Sequence, residues 1–103
     1  MKPWLGIVTV SVEIPGAGSL KDRRQVVRSL RERLKKHFNV SCADLGPDAT
    51  WNKADIAACC VGSSHQEVAS RVEQLCSFVE RTGEDGGFSI TDMEYEVLAY
   101  GDF

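Results

Sequence analysis

Apolar and polar positions alternate from Leu5 to Ile14, with Val8, Val10, Val12 and Ile14 on one side and Ile7, Thr9, Ser11 and Glu13 on the other. This period of two predicts a half-buried strand, which Pro15-Gly16-Ala17-Gly18 breaks. The period then lengthens. Leu20, Val26, Val27, Leu30, Leu34 and Phe38 recur at helical spacing, which predicts one apolar stripe. Ser19 is placed to cap that helix, with Asp22 positioned to reach back, and the helix should run to about Phe38 before Asn39. A second strand is expected from about Val40 to Leu45, closed by Gly46-Pro47-Asp48. A third runs from about Trp51 to Val61, with Ala54, Ile56, Ala58 and Cys60 on one face. The short turn-rich connection makes these two a hairpin. Gly62-Ser63-Ser64 leads into a second helix with Ser64 and Glu67 in capping-box spacing. Val68, Val72, Leu75 and Val79 form its buried stripe, and Gly83 is the expected stop. The last strand, about Phe88 to Ala99, changes phase between Ile90 and Met93, as a β-bulge would require.

The order β-α-β-β-α-β, without linker or repeat, predicts an α+β fold: a ferredoxin-like sandwich whose four-stranded antiparallel sheet carries both helices on one face. At 103 residues the chain is expected to form a single domain, 1–103, large enough for its own core. No apolar run approaches the roughly 20 residues that span a bilayer, and no secretory pattern is visible at the N-terminus. The expected setting is cytoplasmic, without a membrane.

Charge changes the picture more than composition does. Lys21 to Lys36 holds eight of the twelve Lys and Arg residues against two carboxylates, a net +6 in a chain whose total is −3. On a helix, Lys21, Arg24, Arg28, Arg31 and Lys35 are spaced three and four apart and make one continuous ridge flanking the apolar stripe. Arg33 and Lys36 lie on the far side. Arg23 coincides with the stripe, and its place in the first turn suggests that its head escapes past the helix end. The helix dipole accounts for Lys35 and Lys36 but not for Lys21, Arg23 and Arg24, which put positive charge at the positive end. Polyanion binding by Lys21, Arg23, Arg24, Arg28, Arg31 and Lys35 is the reading that explains them. Backbone amides of the Gly16, Gly18 and Ser19 turn are candidates for further anion contacts.

Other chemistry is thin. Cys42, Cys59, Cys60 and Cys76 show no C-x-x-C and no zinc spacing to His37 or His65, so they read as small hydrophobes. No metal or cofactor is expected. Asp44, Asp48 and Asp55 could gather at the hairpin, yet no nucleophile or acid–base pair emerges from the spacing, and no enzyme activity is expected. The sheet face without helices offers no aromatics on its central strands beyond Trp51, which argues against stacking bases there. Ile7, Ala57, Cys59 and Val61, with Met93 or Tyr95 as further candidates, make that face mildly apolar, an expected surface for homodimer formation.

Ile14-Pro15-Gly16, Ser19-Leu20-Lys21-Asp22-Arg23-Arg24, Val26-Val27, Leu30 and Phe38-Asn39-Val40-Ser41, with Trp51 and Gly62-Ser63-Ser64 further on, resemble the YlxP family of small bacterial proteins over about residues 5–98. The resemblance implies a ferredoxin-like fold and no established activity. It also implies a connection with RNA or the ribosome, because genes of that family often neighbour those for translation initiation and ribosome maturation factors. The expected function is therefore a cytoplasmic module that docks its basic first helix on structured RNA or a ribosomal particle, near translation or ribosome maturation. The alternative is a protein-interaction module that docks the same helix on an acidic protein partner.

Overall fold

The computed structural model describes residues 2–47 and 50–101. Six elements follow in the expected order: β1 (Trp4–Glu13), α1 (Leu20–His37), β2 (Ser41–Gly46), β3 (Lys53–Gly62), α2 (His65–Gly86) and β4 (Ser89–Ala99). The strands form one antiparallel sheet in the order β2-β3-β1-β4. Val8, Val10, Val12, Ala54, Ile56, Ala58 and Cys60 point to one side and pack with Val27, Leu30 and Leu34 of α1 and Val68, Val72, Leu75 and Val79 of α2. Both helices thus cover one face, α1 over the β2 side and α2 over the β4 side. Among the described residues, no helix is long and apolar enough to cross a membrane.

Both helices begin with the same device. Ser19 Oγ accepts from the Asp22 amide at 3.2 Å, and Asp22 Oδ2 accepts from the Gly18 amide at 2.9 Å. In α2, Ser64 Oγ accepts from the Glu67 amide at 3.2 Å, and Glu67 Oε2 accepts from the Ser63 amide at 3.0 Å. The reciprocal bonds satisfy donors that a helix start leaves unpaired. They also hold the Glu67 carboxyl below its ordinary range, the Ser63 amide being the main cause.

Several expectations shift. Leu20 is 40% exposed rather than part of the buried stripe. Gly83 does not end α2: it is buried within the helix against Phe88, where an added Cβ would lie 3.0 Å from the Phe88 carbonyl oxygen. The stop is Gly87, whose φ of +78° supplies the left-handed cap. The β4 bulge is present. Ser11 pairs with Asp92 and Val12 with Ile90, leaving Thr91 as the extra residue. It donates its hydroxyl to the Ser11 carbonyl at 3.1 Å. Beyond this bulge, Met93 and Tyr95 pair with Val10 and Val8 on the helix-covered side, so they do not join the open face. The residues that do are Asp92, Glu94, Glu96 and Leu98, paired with Ser11, Thr9, Ile7 and Leu5.

Candidate nucleic-acid interface

The cationic ridge of α1 overhangs β2, the edge strand of the sheet. Lys21, Arg24, Arg28 and Lys35 are exposed. Among the described residues none of the four forms an ion pair; the salt bridges join Arg23 to Asp44 and Arg71 to Glu67. Arg31 is half-buried and leans onto β2, with Nη2 3.4 Å from the Cys42 carbonyl oxygen and a buried Nε that has no partner. Part of its guanidinium is already turned inward, so it is less available to a ligand than its spacing suggests. The ridge therefore consists of four exposed cations and one that is partly committed.

Arg23 departs furthest from expectation. Its head does not escape past the helix end; the residue is 4% exposed. Nη1 and Nη2 donate to Asp44 Oδ2 and Oδ1 at 2.8 and 2.9 Å, and Nε donates to the Lys53 carbonyl at 2.8 Å. Asp44 pairs with Ile56 on the helix-covered face, which brings it under α1. Asp44 Oδ1 also accepts from the Gly46 amide at 2.9 Å across the β2 irregularity. One guanidinium thus ties the start of α1 to β2 and to the first residue of β3. Arg23 is an internal clamp and does not belong to the exposed ridge.

One of the three amides of the glycine turn is already committed. The Gly18 amide is taken by the Asp22 carboxylate, and Ser19 Oγ by the Asp22 amide. Gly16 sits in an open depression of about 610 Å³ whose lining sets Glu80 and Glu84 against Arg81, a balance that does not favour an anion. Asp44 and Asp55 lie on opposite faces of the sheet, since Asp55 pairs with Ser11. They do not gather into a carboxylate cluster, and Asp48 lies outside the described residues. No group of three or more His, Cys, Asp or Glu among the described residues is arranged to hold a metal.

The four thiols are unpaired. Burial pushes Cys42, Cys59 and Cys76 above the ordinary thiol range, and for Cys42 the charges of Arg31 and Lys35 only partly oppose it. Arg33, on the far side of α1, lies over the Phe78 ring of α2 at 5.6 Å, and His37 packs on the same ring at 4.8 Å. These two residues cross to α2 and are separate from the ridge.

The Asp44 carboxyl is held below its ordinary value of 3.8, first by the Arg23 hydrogen bonds and then by the Gly46 amide, against the opposing effect of burial. A lowered folded-state pKa contributes stability that is fully present above the unfolded value and lost as pH falls through the folded one. Acid titration followed by circular dichroism should therefore show the stability advantage of the native chain over Asp44→Asn shrinking as pH drops below 3.8. An advantage that stays constant down to the acid limit would mean that the pair does not couple to folding.

The family model described as a protein of unknown function, DUF503, matches residues 5–95. The chain is 28% identical over 76 residues to the uncharacterized protein YlxP of Bacillus subtilis strain 168, covering 74% of this chain and 83% of that one. A solved NIPSNAP family protein from Agrobacterium tumefaciens strain C58 aligns over 95% of both chains at 16% identity, with a TM-score of 0.43.

Proposed function

We propose that this chain, which belongs to the DUF503 family of proteins of unknown function, binds structured RNA, most plainly that of a ribosomal particle, along the α1 ridge. The observation that carries the reading is the row Lys21, Arg24, Arg28 and Lys35, exposed and without ion pairs among the described residues. Such a row in a chain of net charge −3 repels itself unless a polyanion neutralises it. Placed three and four residues apart on a rigid helix, the cations meet successive phosphates and read shape and charge rather than sequence. A role near translation or ribosome maturation goes with that ligand.

Binding of a fluorescein-labelled RNA hairpin tests the reading. Converting Lys21, Arg24, Arg28 and Lys35 to Glu should remove measurable binding. Converting them singly to Gln should lower the slope of log affinity against log salt by about 0.7–0.9 per cation. Arg31 is best left in place, because it is half-buried and its Nη2 faces the Cys42 carbonyl of β2, so changing it would also disturb the fold. The native protein should also co-sediment with ribosomal particles from extract until nuclease is added. If the fourfold variant binds the hairpin and sediments like the native chain, the ridge is not the interface. Binding that survives nuclease and is displaced by an acidic protein rather than by bulk RNA would favour the protein-partner alternative.

A further inference from the structure

The uncovered sheet face has a charge pattern of its own. Strand register places its residues in rows across β3, β1 and β4: Val61, Leu5 and Leu98; Cys59, Ile7 and Glu96; Ala57, Thr9 and Glu94; Asp55, Ser11 and Asp92; Lys53, Glu13 and Ser89. On β2, Ser41 joins the second row and Ala43 the third. One end of the face is therefore apolar, with Val61 56% and Ile7 37% exposed. The β4 side is a line of carboxylates, whereas Ser41 and Ala43 on the β2 side are small and uncharged. Five carboxylates against Lys53 alone make the face unsuitable for nucleic acid.

We infer that this face docks a second copy of the same chain, sheet on sheet, about a two-fold axis parallel to the strands between β1 and β3. The charge pattern selects that axis. Turning one copy about it lays Val61 and Leu5 on the apolar row of the partner and brings each β4 carboxylate line over the uncharged β2 of the other copy. An axis across the strands would instead set Glu94 against its own counterpart and the apolar row against Lys53 and Glu13, with like charges directly opposed. The skew of about 30° between packed sheets changes which carboxylate Ala43 meets but not its sign, because Asp92, Glu94 and Glu96 are all acidic. Ala43, Ala57, Ser41 and Cys59 are small enough to let the sheets approach. β1, β3 and β4, ten or eleven residues long, and the shorter β2 of six, at about 4.8 Å between strands and about 3.3 Å per residue, offer about 590 Å² per copy, at the bottom of the range of stable interfaces. Both α1 ridges stay on the outside of such a pair. Under this axis no carboxylate row opposes another and Lys53 of each copy faces Glu13 of the other, which makes a second copy the partner proposed.

Sedimentation equilibrium over a range of protein concentrations, with nuclease present, tests this. The native chain should reach twice its 11.3 kDa mass, and Ile7→Glu should return it to 11.3 kDa with its circular dichroism unchanged. Ala43→Glu should raise the dissociation constant about tenfold by opposing like charges, and adding Glu94→Lys to it should restore most of the affinity. A native mass of one chain at every concentration overturns the proposal. So does association that persists in Ile7→Glu, and so does a pair that is indifferent to Ala43→Glu. Association that needs RNA disappears under nuclease and overturns it as well. Because the ridge variants leave this face intact, their failure to bind RNA and failure of the pair to form are separate outcomes.

Discussion

Arg23→Ala is expected to destabilise the domain by about 2–4 kcal/mol. Breaking a buried ion pair by removing one member typically costs about 3–5 kcal/mol, because the surviving charge is stranded. The estimate is lowered because the Asp44 side chain keeps 28% exposure, so water recovers part of its solvation. Three donors are lost at once: two to Asp44 and one to the Lys53 carbonyl. For a domain of this size the melting temperature should fall by about 10–25 °C. Arg23→Lys should rescue little, since a single ammonium cannot reproduce the two parallel bonds and the third to Lys53. Arg23→Met with Asp44→Leu should be much closer to native than Arg23→Ala, because replacing both members leaves no charge unpaired. Thermal melts of the three variants beside the native chain check this. A fall of less than about 4 °C for Arg23→Ala, about 1 kcal/mol or less on this scale, would show that the clamp contributes little.

Gly6→Val is expected to be comparably damaging for the opposite reason, too much matter in a closed space. A Cβ at Gly6 would lie 2.6 Å from Val72 Cγ2, 2.7 Å from Val68 Cγ1 and 3.0 Å from Cys60 Sγ. Val68, Val72 and Cys60 are buried core residues, so none can swing into solvent. Gly62 meets Val68 in the same way at 2.7 Å, which makes these two glycines the seat on which α2 rests against β1 and β3. Replacing glycine in a strand should by itself gain about 0.5–1 kcal/mol of conformational entropy. Overpacking costs about 1–3 kcal/mol or more and should prevail, with Gly6→Ala milder than Gly6→Val. Gly6→Ala combined with Val72→Ala should recover part of the loss relative to the sum of the single changes, since the two sites share one gap. Denaturant midpoints that add without coupling would mean that α2 shifts freely on the sheet.

These two positions also mark where reading the chain alone stops. Strand and helix order was legible because the apolar period changes from two to 3.6 and back, with serine caps and glycine breaks at the joints. The ridge at Lys21, Arg24, Arg28, Arg31 and Lys35 was legible from angular spacing. The fate of Arg23 was not, because its partner Asp44 lies 21 residues away on a strand face that only the pairing register defines. The signal available was its place on the apolar stripe, which said that the head must either leave or be paired. Gly83 was misread because a glycine that permits close packing and a glycine that permits a left-handed turn are the same letter. The phase change in β4 was legible, but its consequence was not carried through: one inserted residue, Thr91, inverts every side chain after it, and so takes the candidates Met93 and Tyr95 off the open face. The open face was consequently expected to be more apolar than it is, and its line of carboxylates went unseen.

The reciprocal caps at the two helix starts have a further consequence. Asp22 at the head of α1 and Glu67 at the head of α2 each place a carboxylate among the amides that would otherwise present positive partial charge. The axial field of each helix is thereby met at its source. What remains is a transverse polarity, with cations along the β2 flank and carboxylates along β4. On the proposed function, a polyanion would be steered broadside to α1, lying along the cylinder instead of abutting its tip. An extended stretch of backbone suits that orientation better than a terminal phosphate does.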